Sequence, residues 1–180
     1  TFALDYFFGW SGICIEPDGH FYRGLAINRT CAVVCNNPVD SIDGSVKQFS
    51  YQINGAQKEG NDNEKKVTVS LNTVFNKLGK RVRMPPVVDY LSIDIEGWEY
   101  HALRAVNFDA YVFLIISIER PTIELHQLLA SKGYWWLTQV RSPKSSNETL
   151  NVAPIRKAAE QKQKSQSQFN PAHSGYFGEC

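Results

Sequence analysis

Five polar side chains stand where an apolar run gives way to a turn: Glu16, Asn36, Asp94, Glu96 and Glu119. The densest set lies in Ser92-Ile93-Asp94-Ile95-Glu96-Gly97-Trp98-Glu99. Period-two geometry puts Asp94 and Glu96 on one side if the strand extends that far. Carboxylates held that close raise the pKa of one of them, which suits a general base or a metal site. Gly97 permits a tight turn into the following helix. The plainer reading is a pair of helix-start acids and a turn glycine. Glu16 ends another apolar run. A carboxylate there can accept two hydrogen bonds from a ribose diol, or it can simply favour the N-terminus of a helix. Glu119 either faces the same crevice as Asp94 or pairs with Arg120. His20, His101, His126 and His173 form no ligand spacing and read as surface or packing residues.

Strands that alternate with helices must position these acids. Gly12 to Glu16, Cys31 to Cys35, Val87 to Ile95 and Tyr111 to Ile118 are apolar runs suited to buried parallel strands. Between them lie helix signatures: a run through Phe8 stopped by Gly9, a helix capped by Asp18, one from Ser70 to Leu78, one from Gly97 to Val106, and one capped by Thr122 and stopped by Gly133. Val46 to Ile53 alternates like one arm of an antiparallel hairpin, and Tyr134 to Val140 reads as a further strand. The pattern predicts an α/β fold with a doubly wound sheet of parallel strands. In such sheets ligands bind beyond the C-terminal strand ends, where all five polar residues fall. Residues 1–140 form this domain. Residues 141–180 read as a polar, flexible tail, with a possible short helix at 155–162 and a last strand near 175–178. That tail has too little apolar content to offset its ordering entropy.

The 180 residues suit one domain. Nineteen basic residues oppose 18 acidic ones, so no overall basic footprint points to nucleic acid. No apolar run reaches the roughly 20 residues of a membrane span. The start, Thr1-Phe2-Ala3-Leu4-Asp5, carries neither a basic n-region nor a signal cleavage site, and without an initiator Met it reads as part of a longer protein. The compartment stays open: cytoplasmic, or secretory if an upstream segment exists. The four cysteines show no metal signature and read as buried small hydrophobes, with Cys31 and Cys35 too far apart along one strand for a disulfide. Asn28-Arg29-Thr30 and Asn147-Glu148-Thr149 match the glycosylation sequon, which has meaning only in a secreted protein.

Several blocks together carry a family resemblance. Gly9-Trp10-Ser11-Gly12-Ile13-Cys14-Ile15-Glu16-Pro17, followed by Tyr22, Leu25 and Asn28-Arg29, resembles the second-strand block of FkbM-like methyltransferases. Ser70-Leu71-Asn72 is similar to their next helix start. Leu91 to Glu99 resembles their aspartate-x-glutamate-glycine-x-glutamate block, and Ile118-Glu119 and Gly133-Tyr134 follow in order. The resemblance implies a Rossmann-like fold that binds S-adenosylmethionine and methylates an oxygen, here a hydroxyl of a small molecule or glycan. It implies that Glu16 holds the cofactor ribose, with Asn36 and Asp94 near the cofactor. Asp94 would act as base or metal ligand, with Glu96 and Glu119 as second choices and a divalent metal as an open possibility. It also implies that the family's first strand and glycine-containing acidic loop should come before Thr1, because Gly9 and Gly12 belong to the second block. The rival reading is a non-catalytic binding domain that keeps the fold without turnover. A nicotinamide or nucleotide-sugar enzyme would need a G-x-G-x-x-G turn, which this sequence does not show.

Overall fold

The computed structural model describes residues 2–49, 52–53, 56–57, 64–80, 84–141, 149–154 and 176–178. Two compact units emerge: Thr1–Arg83 with Ala172–Cys180, and Met84–Pro171. Among the described residues no helix is long and apolar enough to cross a membrane.

The first unit begins with α1 (Phe2–Phe8), which ends at Gly9 in the left-handed region. Strand β1 (Ile13–Ile15) leads to α2 (Gly19–Asn28), and β2 (Val33–Cys35) follows. Asp18 caps α2 as expected, accepting hydrogen bonds from the backbone N–H groups of His20 and Phe21. β1 and β2 run parallel, with Cys14 opposite Val34. The three residues of β2 are all buried, which explains why they are apolar throughout. Strand β3 (Val46–Phe49) pairs antiparallel with β6 (Glu64–Val67), and the small β4 (Gln52–Ile53) pairs with β5 (Ala56–Gln57). The hairpin arm predicted over 46–53 is present only as β3 over Val46–Phe49, and Gln52–Ile53 pairs separately. Ser70 caps α3 (Leu71–Val74) through Thr73 N–H, and the helix widens into a π turn over Phe75–Gly79. Val33, Val34, Val69, Val74 and Leu78 form the core of this unit.

One expectation fails here. Cys14 and Cys31 are not free hydrophobes: they form a disulfide with their Cα atoms 6.0 Å apart. Cys35 is disulfide-bonded as well. Spacing along one strand correctly separates Cys31 from Cys35. It says nothing of the link from β1 to the entry of the neighbouring β2, where two chain segments lie side by side.

The second unit is built on β7 (Val87–Ile93) and β8 (Val112–Glu119), which run parallel with Ile93 opposite Ile118. Between them lies α4 (Glu99–Arg104), and α5 (Ile123–Ser131) follows β8. Thr122 caps α5, accepting from Leu125 N–H, and Gly133 ends it in the left-handed region. Phe113, Ile116, Ile118, Leu103, Leu125 and Leu129 are fully buried and make the core. Tyr134 Oη accepts from Phe113 N–H at 3.1 Å, and burial pushes its hydroxyl pKa up to about 12. Strand β9 (Thr138–Arg141) is shorter than the run from Tyr134 predicts.

The polar stretch after Arg141 contributes more than its composition suggests. Thr149–Pro154 forms β10, which lies between β8 and β9 and runs antiparallel to both. This second sheet, ordered β7-β8-β10-β9, is thus mixed rather than all parallel. Tyr176–Gly178 forms β11 and adds to β2 in parallel, Gly178 opposite Cys35. The segment 155–162, with its possible helix, lies outside the described residues.

Candidate functional site

The acids at the ends of β7 and β8 converge. Asp94 follows the last residue of β7, and Glu119 is the last residue of β8. Parallel pairing with Ile93 opposite Ile118 carries the two chains out side by side at their C-terminal ends. Glu96 arrives by a different route than period-two alternation. The strand stops at Ile93, and Glu96 sits in a turn with φ of 54°, followed by Gly97 at 94°. That backbone conformation is tolerated by Gly and strained for Glu. Glu99 holds it in place: its buried carboxylate accepts from Ile95 N–H at 3.0 Å and from Gly97 N–H at 3.2 Å. One oxygen each from Asp94, Glu96 and Glu119 then lies within 4.8 Å of the other two.

Electrostatics follow from this crowding. Partial burial, then a hydrogen bond and charge repulsion from Glu119, then the charges of Glu96 and Glu99, raise Asp94 from 3.8 to about 6. Asp94 reaches solvent, yet holds its proton to a higher pH than an ordinary carboxyl. Arg120 supplies the balancing cation. Its guanidinium lies 3.0 Å from Glu119 Oε1 and 3.8 Å from Glu96 Oε2, on a residue that itself has positive φ. Both sequence readings of Glu119 are realised together: it meets Asp94 and pairs with Arg120. Beneath the acids runs a row of hydroxyls. Tyr90 Oη lies 2.6 Å from Ser117 Oγ, which lies 3.3 Å from Ser92 Oγ. The arrangement can store a proton near neutral pH, and its three oxygens can hold a divalent cation.

Glu16 and Asn36 meet in the first unit. Glu16 follows β1, and its Oε1 accepts from Asp18 N–H at 2.9 Å, forming the turn into α2. Burial raises its pKa, partly offset by that hydrogen bond. Asn36 follows β2. Its amide donates to Glu16 O at 2.9 Å and Pro17 O at 3.3 Å, so it fastens the Glu16 loop to the neighbouring strand end. The sequence reading missed Lys66. This buried ammonium donates to Asn36 Oδ1 and lies 3.4 Å from Asn36 O, and its charge favours ionised Glu16. The histidines behave as expected: His126 lies against Trp136, His101 against Trp98, and His20 against Phe21, while His173 is outside the described residues.

The methyltransferase FkbM domain matches residues 2–135. The chain belongs to the FkbM methyltransferase family. No curated protein and no solved structure matches it. The matched span of the FkbM domain contains both clusters, Glu16 with Asn36 and Asp94 with Glu96 and Glu119, and it ends just after Gly133-Tyr134. The resemblance drawn from the sequence blocks is therefore correct, and the domain is a methyltransferase domain.

Proposed function

We propose that this FkbM domain transfers a methyl group from S-adenosylmethionine to a hydroxyl oxygen of a small molecule or glycan. The observation that carries the reading is Asp94. It is a carboxyl with a pKa of about 6, at the C-terminal ends of two parallel strands, in a family of methyltransferases. Such a group is ionised at neutral pH and still basic enough to receive a hydroxyl proton as the oxygen forms its new bond. Bound S-adenosylmethionine supplies an electrophilic methyl on a sulfonium. Glu16, at the end of β1, has the chemistry to accept the two hydroxyls of the cofactor ribose, and Asn36 and Lys66 support the loop that carries it. Arg120 pairs with Glu119 and Glu96, and the repulsion between those acids and Asp94 keeps Asp94 basic. A divalent cation would compete with Arg120 and the proton for the same oxygens.

Calorimetry and transfer assays on the full-length protein test this. S-adenosylmethionine should bind, and Glu16→Gln should weaken it by roughly tenfold or more, the scale for lost hydrogen bonds to a charged acceptor. With tritiated cofactor and a panel of sugar and phenol acceptors, Asp94→Asn should retain cofactor affinity and lose ~10²-fold in transfer. A chelator that reproduces the loss, reversed by Mg²⁺, assigns the acids to a metal; no effect assigns Asp94 to the proton. Cofactor binding with full transfer in Asp94→Asn removes Asp94 from the chemistry. Binding without transfer to any acceptor supports the non-catalytic alternative.

A further inference from the structure

Residues 28–31 combine two features that methyl transfer does not use. Asn28-Arg29-Thr30 is a glycosylation sequon, with Arg rather than Pro at its centre, and Cys31 directly after it is disulfide-bonded to Cys14. Asn28 is the last residue of α2 and lies exposed, next to Ile27, which is 83% exposed. A branched sugar on Asn28 therefore meets open solvent and an uncovered apolar side chain. A disulfide joining β1 to the entry of β2, with Cys35 also oxidised, is the state of a protein kept from cytosolic reductants. We propose that this chain matures in an oxidising secretory compartment, where Asn28 receives an N-linked glycan.

The chemistry balances at Asn28. The bond formed joins Nδ2 to the anomeric carbon of an oligosaccharide. The bond broken is that carbon's link to a lipid diphosphate, which leaves with the electron pair, while Nδ2 gives up one proton. Nδ2 begins with two N–H bonds, so the one that remains can keep the 2.7 Å hydrogen bond to Gly24 O. The geometry also sets the order of events. In the folded chain Arg29 is paired with Asp5 at 2.5 Å, and both the N–H and the hydroxyl of Thr30 are held by the Asp5 carboxylate. A transferase that reads the Thr30 hydroxyl must act before α1 packs here. Glycan addition thus precedes the packing of α1 against Thr30.

Mapping the native full-length protein, isolated from its own cells with free thiols blocked at lysis, tests this. The expected result is a Cys14–Cys31 linked peptide, and a glycan on the Asn28 peptide that peptide N-glycosidase removes, converting the asparagine that carried it to aspartate. Blocked, reduced Cys14 and Cys31, or an unmodified Asn28, would overturn the proposal. Expression of the full chain through a secretory route gives a second reading. Asn28→Gln should remove one glycan's mass on a gel, while Thr30→Ser should retain it. Identical mobility of Asn28→Gln and wild type also overturns it. Peptide mapping keeps Asn28 distinct from the second sequon at Asn147.

Discussion

Replacing Asp94 by Asn should stabilise the protein, and the gain should depend on pH in a definite way. The carboxyl titrates near 3.8 in an unfolded chain and at about 6 in the folded one. The native state thus binds the proton more tightly, so wild-type stability from this group is highest below the unfolded value and falls as pH rises through about 6. A difference of that size corresponds to roughly 3 kcal/mol at full strength. The side chain reaches solvent, and screening reduces this to about 1 kcal/mol. Asn keeps a donor for Glu119 and never ionises, so it copies the protonated acid at every pH. The variant minus wild-type difference should be near zero around pH 3.5–4, open between pH ~4 and ~6, and stay flat above that. At pH 7.5 the melting temperature should rise by about 2–4 °C for a chain of this size. Calorimetry or urea titration across that range reads the difference directly, and carboxyls remote from the cluster cancel because both proteins share them. A variant that is less stable at pH 7.5, or a gain that does not change with pH, would refute the crowded-acid account of this site.

The remaining predictions test what holds the sites in place. Glu99→Ala removes the acceptor for two backbone N–H groups and should cost roughly 2–4 kcal/mol; hydrogen exchange at Ile95 and Gly97 should accelerate, and unchanged protection would show that the turn needs no clamp. Burial alone would raise the Asp5 pKa, but Arg29 and Thr30 outweigh it and hold the carboxyl below its usual range. Asp5→Asn should therefore cost about 1.5–3 kcal/mol at neutral pH, with the penalty shrinking as pH falls below the unfolded value of 3.8 and through the lower native one; a pH-independent penalty in urea titrations would contradict the pairing. The Cys14–Cys31 link spans 17 residues, and its loss in a Cys14→Ala, Cys31→Ala double variant should cost about 3 kcal/mol by loop entropy. An unchanged denaturation midpoint would mean that the link constrains nothing.

Periodicity and caps made most of the elements legible. β7 and β8 are apolar runs of ordinary strand length, and Asp18, Ser70 and Thr122 mark their helices with the side-chain acceptor that the first turn requires. The candidate acids were legible for the same reason: buried runs that end in a carboxylate have few structural uses. The misses have physical causes too. Thr149–Pro154 mixes polar and apolar residues, so nothing local marks β10 as the strand between β8 and β9. Lys66 escaped because the burial along β6 is inverted, with Lys66 and Thr68 inside and Val67 exposed. Alternation reveals a buried face only when that face is apolar. The role of Glu99 lay hidden because a clamp on its own loop is set by dihedral angles, and spacing does not report those. The disulfide joins neighbours across strands, a relation that one-dimensional distance does not measure.

The pairing of β11 with β2 has a consequence for the order of assembly. The three-stranded sheet of the first unit takes strands from both ends of the sequence, Val33 facing Tyr176, with the whole of 84–171 intervening. The second unit is in effect spliced into the first. During synthesis from the N-terminus, the second unit's segment is complete while the first still waits for its edge strand. Contacts between such distant positions form late, because closing the long loop comes before any gain from the pairing. A truncation that removes 176–178 should thus leave its mark at β2 and the Asn36 loop, at the opposite end of the sequence from the cut.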